Sequence, residues 1–140
     1  MKLLTVNVGS SSVRLSAFSM ERAKPRRVAT HQGAQDPSTA PAVLSEVLSD
    51  WNLVSFDAVV HRIVHGGRTL AKPCLLNAGI EEQILDLAEL APLHQPAALA
   101  WINAGREVLG ESVQQVAVFD TAFFAKLPEV AASYALPRAL

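Results

Sequence analysis

Hydrophobic and polar positions along the chain fall into short blocks of two different periods. Residues 3–8 form a nearly continuous apolar run, and over residues 13–20 Val13, Leu15 and Ala17 alternate with Arg14 and Ser16. The first pattern predicts a buried strand and the second its hairpin partner, with the alternation slipping at Phe18 as at a bulge or a strand end. A short third strand is predicted over residues 26–31. Residues 33–41 are rich in turn formers. Residues 41–48 then carry apolar side chains at helical spacing, with Thr39 as the expected cap, Pro41 in the first turn and Trp51 closing the apolar face. Residues 57–64 are β-branched and apolar enough for a central strand ended by Gly66 and Gly67. After a polar loop around Pro73, a helix is predicted over 81–90 with Pro92 as its stop. A second follows over 96–109 with Gly110 beyond it, and a last strand over 113–119. The order β-β-β-α-β-α-α-β predicts an α/β fold, a mixed sheet with helices packed on it and chemistry at strand ends and turns.

Composition narrows this picture. With 140 residues, half of them hydrophobic and 18% charged, the chain is one domain by length and carries enough apolar material for a core. A net charge of −1 gives no electrostatic footprint for nucleic acid or an anionic membrane. The small basic cluster of Lys24, Arg26 and Arg27 reads as a solvated loop. Cys74 is the single cysteine and cannot form an internal disulfide. No apolar run approaches the ~20 residues of a membrane span, and Met1-Lys2 does not open a signal peptide, so the expectation is a cytoplasmic protein.

Candidate chemistry gathers at four places. In Val6-Asn7-Val8-Gly9-Ser10-Ser11-Ser12-Val13-Arg14 the chain turns tightly between two strands. Gly9 can bring backbone close to a ligand, Ser10, Ser11 and Ser12 add hydroxyls, Asn7 offers an amide oxygen and Arg14 a fixed charge. Together these suit a phosphate oxygen or a hydrated metal. A plain hairpin with solubilising serines is the competing reading. The Walker spacing is absent. In His61-Arg62-Ile63-Val64-His65-Gly66-Gly67 the two histidines are four apart on a strand, ~13 Å along it, too far to share one ion directly. Arg62, emerging beside a glycine pair at a strand end, is a fork for carboxylate or phosphate oxygens, or a surface arginine paired to a neighbouring acid. Asp120 follows the apolar run 116–119, placing a carboxylate at a strand's carboxyl end, where it suits magnesium or phosphate positioning or a helix cap. His94 is held in the proline-bracketed corner Ala91-Pro92-Leu93-His94-Gln95-Pro96.

These four motifs in this order, the last being Val118-Phe119-Asp120-Thr121-Ala122-Phe123, resemble the amino-terminal portion of the acetate kinases. Those belong to the short-chain acid kinase family, with propionate and butyrate kinases. The resemblance implies a ribonuclease-H-like domain of the sugar kinase, actin and heat-shock chaperone superfamily, with residues 1–140 as the amino-terminal domain and a second domain absent. It implies reversible phosphorylation of acetate by ATP with magnesium, in a family that works as a homodimer. Residue by residue, Arg62 matches the arginine that neutralises the acid and the transferring group, Asp120 the catalytic aspartate, and His94 a histidine at the phosphoryl site. Val64 and Leu93 match apolar walls for the acetate methyl, and Asn7, Ser10, Ser11, Ser12 and Arg14 the magnesium and phosphate turn.

Departures accompany the match. Lysine is usual where Arg14 stands, histidine where Phe124 stands, and an acid where Arg68 stands. The stretch from the serine turn to His61 is shorter than is common, as if a peripheral insertion were trimmed, and family chains are much longer overall. Two expectations follow: a portion of an acid kinase, inactive by itself, or a ribonuclease-H-like remnant that binds a phosphate or a protein without turnover.

Overall fold

Strand alternation decides which face of each strand becomes core. In the computed structural model, which describes residues 1–22, 24–133 and 135–136, β1 (Lys2–Val8), β2 (Ser12–Glu21) and β3 (Lys24–Ala34) form an antiparallel meander. Helix α1 (Ala40–Asp50) leads to β4 (Ala58–Ile63), which lies parallel to β1. A two-residue strand β5 (Cys74–Leu75), helices α2 (Ala78–Asp86) and α3 (Gln95–Leu109), and β6 (Gln114–Phe119), parallel to β4, complete a six-stranded sheet of order β3-β2-β1-β4-β6-β5. Two four-residue helices, α4 (Asp120–Phe123) and α5 (Glu129–Ala132), follow.

Alternate residues Leu4, Val6 and Val8, then Val13, Leu15 and Ala17, then Val59 and Ile63, point to one face and are buried. Helices α1 and α3 cover that face, with Leu44, Val47 and Trp101 against β1, β2 and β4. A second apolar cluster joins Ile63, Ala117 and Phe119 to Ile84 of α2 and Ile102 of α3. On the opposite face Leu3, Thr5, Asn7 and Val60 are half-buried and Arg14, Arg62 and Val118 exposed. That second face carries the candidate site.

Several boundaries differ from the sequence reading. The third strand runs over 11 residues rather than six, so the basic cluster lies on an edge strand, where charge and proline are tolerated because the outer edge faces water. The expected irregularity near Phe18 exists, but the extra residue is Val28 on β3: Ala17 pairs with Ala29 while Phe18 pairs with Arg27. Thr39 makes no side-chain cap. Asp36 does so one turn earlier, its Oδ1 accepting from Ser38 N at 2.9 Å and Ser38 Oγ at 2.7 Å to start a 3-10 turn that runs into α1. Those bonds hold the Asp36 carboxyl below the usual range. The helix expected over 81–90 begins at Ala78, capped by Asn77 Oδ1 on Ile80 N at 3.0 Å, and ends at Asp86; residues 88–90 form a 3-10 turn. Leu85 and Leu90, which lie within that span, are exposed. Strand β5 and helices α4 and α5 are too short to print a period.

Candidate active site

Because β1, β4 and β6 are parallel, their carboxyl ends share one end of the sheet, the place where open α/β sheets bind ligands. Register brings Gln32, Arg14, Asn7, Arg62 and Val118 into a single row across five strands. Arg62 therefore stands beside Asn7, and Asp120, one step past β6, completes the cluster. Arg62 Nε donates to Asp120 Oδ1 at 2.8 Å and Oδ2 at 3.0 Å, its Nη2 donates to Oδ2, and its Nη1 donates to Asn7 Oδ1 at 2.9 Å. The hydrogen bonds to Asp120 push the guanidinium pKa up. The pair is open to solvent, with side chains 43% and 36% exposed.

The loops around this cluster are fastened to one another. Gly66, just past β4, donates its N–H to Thr121 Oγ1 at 2.9 Å, tying the glycine corner to the start of α4. A Cβ at residue 66 would lie 2.2 Å from the Leu70 carbonyl oxygen and 3.0 Å from the Phe119 ring, so only glycine fits. Gly67 sits in the left-handed region at φ 61° and donates to His65 Nδ1 at 3.0 Å. Fully buried Gln95 donates to the His65 carbonyl at 2.8 Å, fixing the start of α3, and His94 before it, against the same corner.

On the reverse face of β4, His61 is buried and its Nε2 meets Gln115 Oε1. Since Gln115 Nε2 donates to the Ile102 carbonyl at 3.1 Å, its Oε1 is the acceptor and His61 Nε2 carries the proton. Burial pushes this imidazole down to about 4. Gly105 in mid-helix makes room for the pair, since a Cβ there would lie 2.7 Å from Gln115 Oε1. His61 and His65 thus serve different neighbours. Among the described residues no group of three or more His, Cys, Asp or Glu is arranged to hold a metal. Asp120 and Asn7 do offer hard oxygen donors, and one carboxylate is enough for a magnesium that arrives on phosphates.

Of the residues singled out from sequence, Asn7, Arg62 and Asp120 are brought into contact. Arg14 turns the other way, its Nε and Nη2 reaching Gln32 Oε1 at 3.3 and 2.8 Å. Ser10 and Ser11 are exposed and Ser12 half-buried in the turn after β1, which is closed by Gly9 N on Ser12 O at 2.8 Å. Val64 is half-buried just past β4, Leu93 is 68% exposed before α3, and Phe124 is exposed beside Phe123. The sequence alone points to no role for Thr121 or Gln95. Gly66 at a strand end needs a partner for its N–H, and a glutamine opening an apolar helix needs a buried partner; those were the available signals.

Comparison with known proteins decides the family: the acetokinase profile matches residues 19–140. The chain belongs to the acetokinase family. It is 37% identical to the acetate kinase of Sulfurovum sp. (strain NBC37-1) over 163 aligned positions, which take in 98% of this chain and 40% of that protein. It is 44% identical to the acetate kinase of Oceanobacillus iheyensis over 107 residues, 74% of this chain and 27% of that one. Among solved structures it resembles the acetate kinase of Porphyromonas gingivalis, with TM-score 0.75 and 28% identity, over 99% of this chain and 42% of that one. The propionate kinase of Francisella tularensis gives 0.74, 28%, 99% and 42%. The chain thus spans less than half the length of these relatives. Its fold is the ribonuclease-H-like α/β fold that the motifs implied. An alignment of 163 positions on 140 residues also means that the Sulfurovum protein carries residues this chain lacks.

Proposed function

We propose that this chain forms the acceptor side of an ATP-dependent acetate kinase, with Arg62 as the group that receives the acid. The observation that carries the reading is the forked Arg62 guanidinium, hydrogen-bonded to Asp120 and Asn7 at the carboxyl ends of three parallel strands, in a chain of the acetokinase family. A carboxylic acid with pKa near ~4 is already ionised at neutral pH, so its attack on a phosphoryl group needs no general base. It needs two anions brought together and held in line. Arg62 supplies the charge and the bidentate geometry, while Asp120 and Asn7 set its orientation. Asp120 is also suited to hold magnesium, which when bound with ATP neutralises phosphate charge, and Asn7 Oδ1, while accepting from Arg62 Nη1, keeps a second lone pair for the hydrated ion. Ser10, Ser11, Ser12 and Arg14 are assigned to the phosphates, His94 to the transferring group, and Val64 and Leu93 to the acceptor's methyl. Propionate is the second acceptor to test, because the chain resembles a propionate kinase structure as closely as an acetate kinase one.

The test joins residues 1–140 to the remainder of the Sulfurovum acetate kinase and measures acetyl phosphate by hydroxamate trapping. Arg62→Ala is expected to lower kcat/KM about a hundredfold, roughly 3 kcal/mol of transition-state stabilisation. Asp120→Asn is expected to lower kcat without raising the KM for acetate. Arg62→Ala activity within threefold of the parent contradicts the assignment.

A further inference from the structure

Arg62 and Asp120 are both assigned to substrate-facing work, yet in this structure they satisfy each other. The Nε and Nη2 edge of the guanidinium, the edge a carboxylate grips with two parallel bonds, is taken by the Asp120 carboxylate, and Nη1 is taken by Asn7. Asp120 is chemically the same group as the proposed acceptor, held on the same fork. The cluster has no net charge, so it exerts little pull on an incoming anion. It is also open to water at both partners, which makes the pair weak enough for a solute to part.

We propose that Asp120 acts as an internal competitor for the acceptor acid: its carboxylate fills the Arg62 fork in the resting site and yields it when a divalent cation draws Asp120 away. This rests on the assignment of the acceptor to Arg62 and adds a coupling to it. Asn7 lies on the other edge of the guanidinium, so it keeps Arg62 at the end of β4 when Asp120 leaves. Cation at Asp120 and carboxylate at Arg62 then favour each other's binding, and the coupling is the same from either side. An acid arriving alone meets a neutral, closed fork; an acid arriving with the metal meets a guanidinium whose Nε and Nη2 edge is free.

The coupling is read by titrating the 140-residue chain with acetate in the presence of ADP, whose phosphates bring the metal to a one-carboxylate site, and following the Arg62 Nε–H resonance by NMR, with and without MgCl2. Asp120→Asn keeps an oxygen near Arg62 and removes the charge. It is expected to bind acetate about threefold tighter than the parent without magnesium, the scale of a solvent-exposed ion pair, and to show no further gain with magnesium. The parent is expected to gain about the same factor when magnesium is added. Arg62→Ala separates the two readings, with acetate then followed by its own carbon signal. If acetate binding survives Arg62→Ala, or no form binds acetate, the acceptor assignment itself fails and the competitor with it. If binding is lost in Arg62→Ala but Asp120→Asn binds acetate no tighter than the parent, only the competitor is overturned. Amide dispersion in each variant's spectrum verifies the fold.

Discussion

At the scale of single residues, β4 shows how one step along a strand separates stability from chemistry. His61 and Arg62 are neighbours, but His61 points into the core beneath α3 while Arg62 points to the face that bears the candidate site. The strand was legible in the sequence, read over residues 57–64, and a strand sends neighbouring side chains to opposite faces. The partners were not legible, because Gln115 lies 54 positions from His61 and Asp120 58 positions from Arg62, and only the register of β6 on β4 brings them close. The buried imidazole carries a pH dependence whose sign is fixed. It takes a proton near 6.5 in the unfolded chain and near 4 in the fold, so between those values the unfolded state binds more protons. Stability is therefore complete above 6.5 and is withdrawn as the pH falls toward 4, by up to roughly 3 kcal/mol. Urea midpoints measured from pH 7.5 to 4 are expected to fall across this window. The slope should flatten in His61→Gln, which can still donate to Gln115; an equal slope in that variant would place the titration elsewhere.

Among the elements, the corner after β4 does the most to assemble the site. The sequence predicts a strand ended by Gly66 and Gly67; the strand stops at Ile63 and the glycines form the corner just past it. What the sequence left hidden is the reason for glycine: the Leu70 carbonyl folds back on residue 66 within Cβ range, and the freed N–H reaches Thr121. Gly66→Ala must move backbone, and about 2 kcal/mol of destabilisation is expected, as in overpacked interiors. Broadening of the Arg62 Nε–H resonance should accompany it, because Thr121 and Asp120 are adjacent. Gly79→Ala is the control. It sits in the first turn of α2, and its Cβ would meet only Asn77 Oδ1 at 3.5 Å, so urea unfolding should show no loss and a gain of up to ~1 kcal/mol from helix propensity. Equal losses in the two variants would contradict the role given to the corner. Long periodic elements were legible because burial enforces their period. The shift of α2 was missed because Asn77 offers a cap before the apolar pattern begins, and β5 because two residues carry no period.

For the whole molecule, the sheet turns one face outward, and Asn7, Arg62 and Asp120, proposed to serve the acceptor, stand together at the carboxyl ends of its parallel strands. The motif order was enough to anticipate the family and the fold, since three of the four motifs mark the ends of β1, β4 and β6, which the topology brings together, and the third marks the start of α3. Which of the residues touch was beyond it: Arg14 and Arg62 sit one strand apart on either side of Asn7, yet one turns to Gln32 and the other to Asp120. In-line phosphoryl transfer requires donor and acceptor to be held from both sides, and positioning supplies most of the advantage. The central claim, that residues 1–140 form the acceptor wall of an acetate kinase, is tested most directly by comparing the chain alone with its fusion to the remainder of the Sulfurovum enzyme under ATP, magnesium and acetate. The expected result is acetyl hydroxamate from the fusion, lost with Arg62→Ala, and none above the blank from the 140-residue chain. A folded fusion that makes no acetyl phosphate, or a 140-residue chain that makes it alone and loses it with Asp120→Asn, would contradict the account.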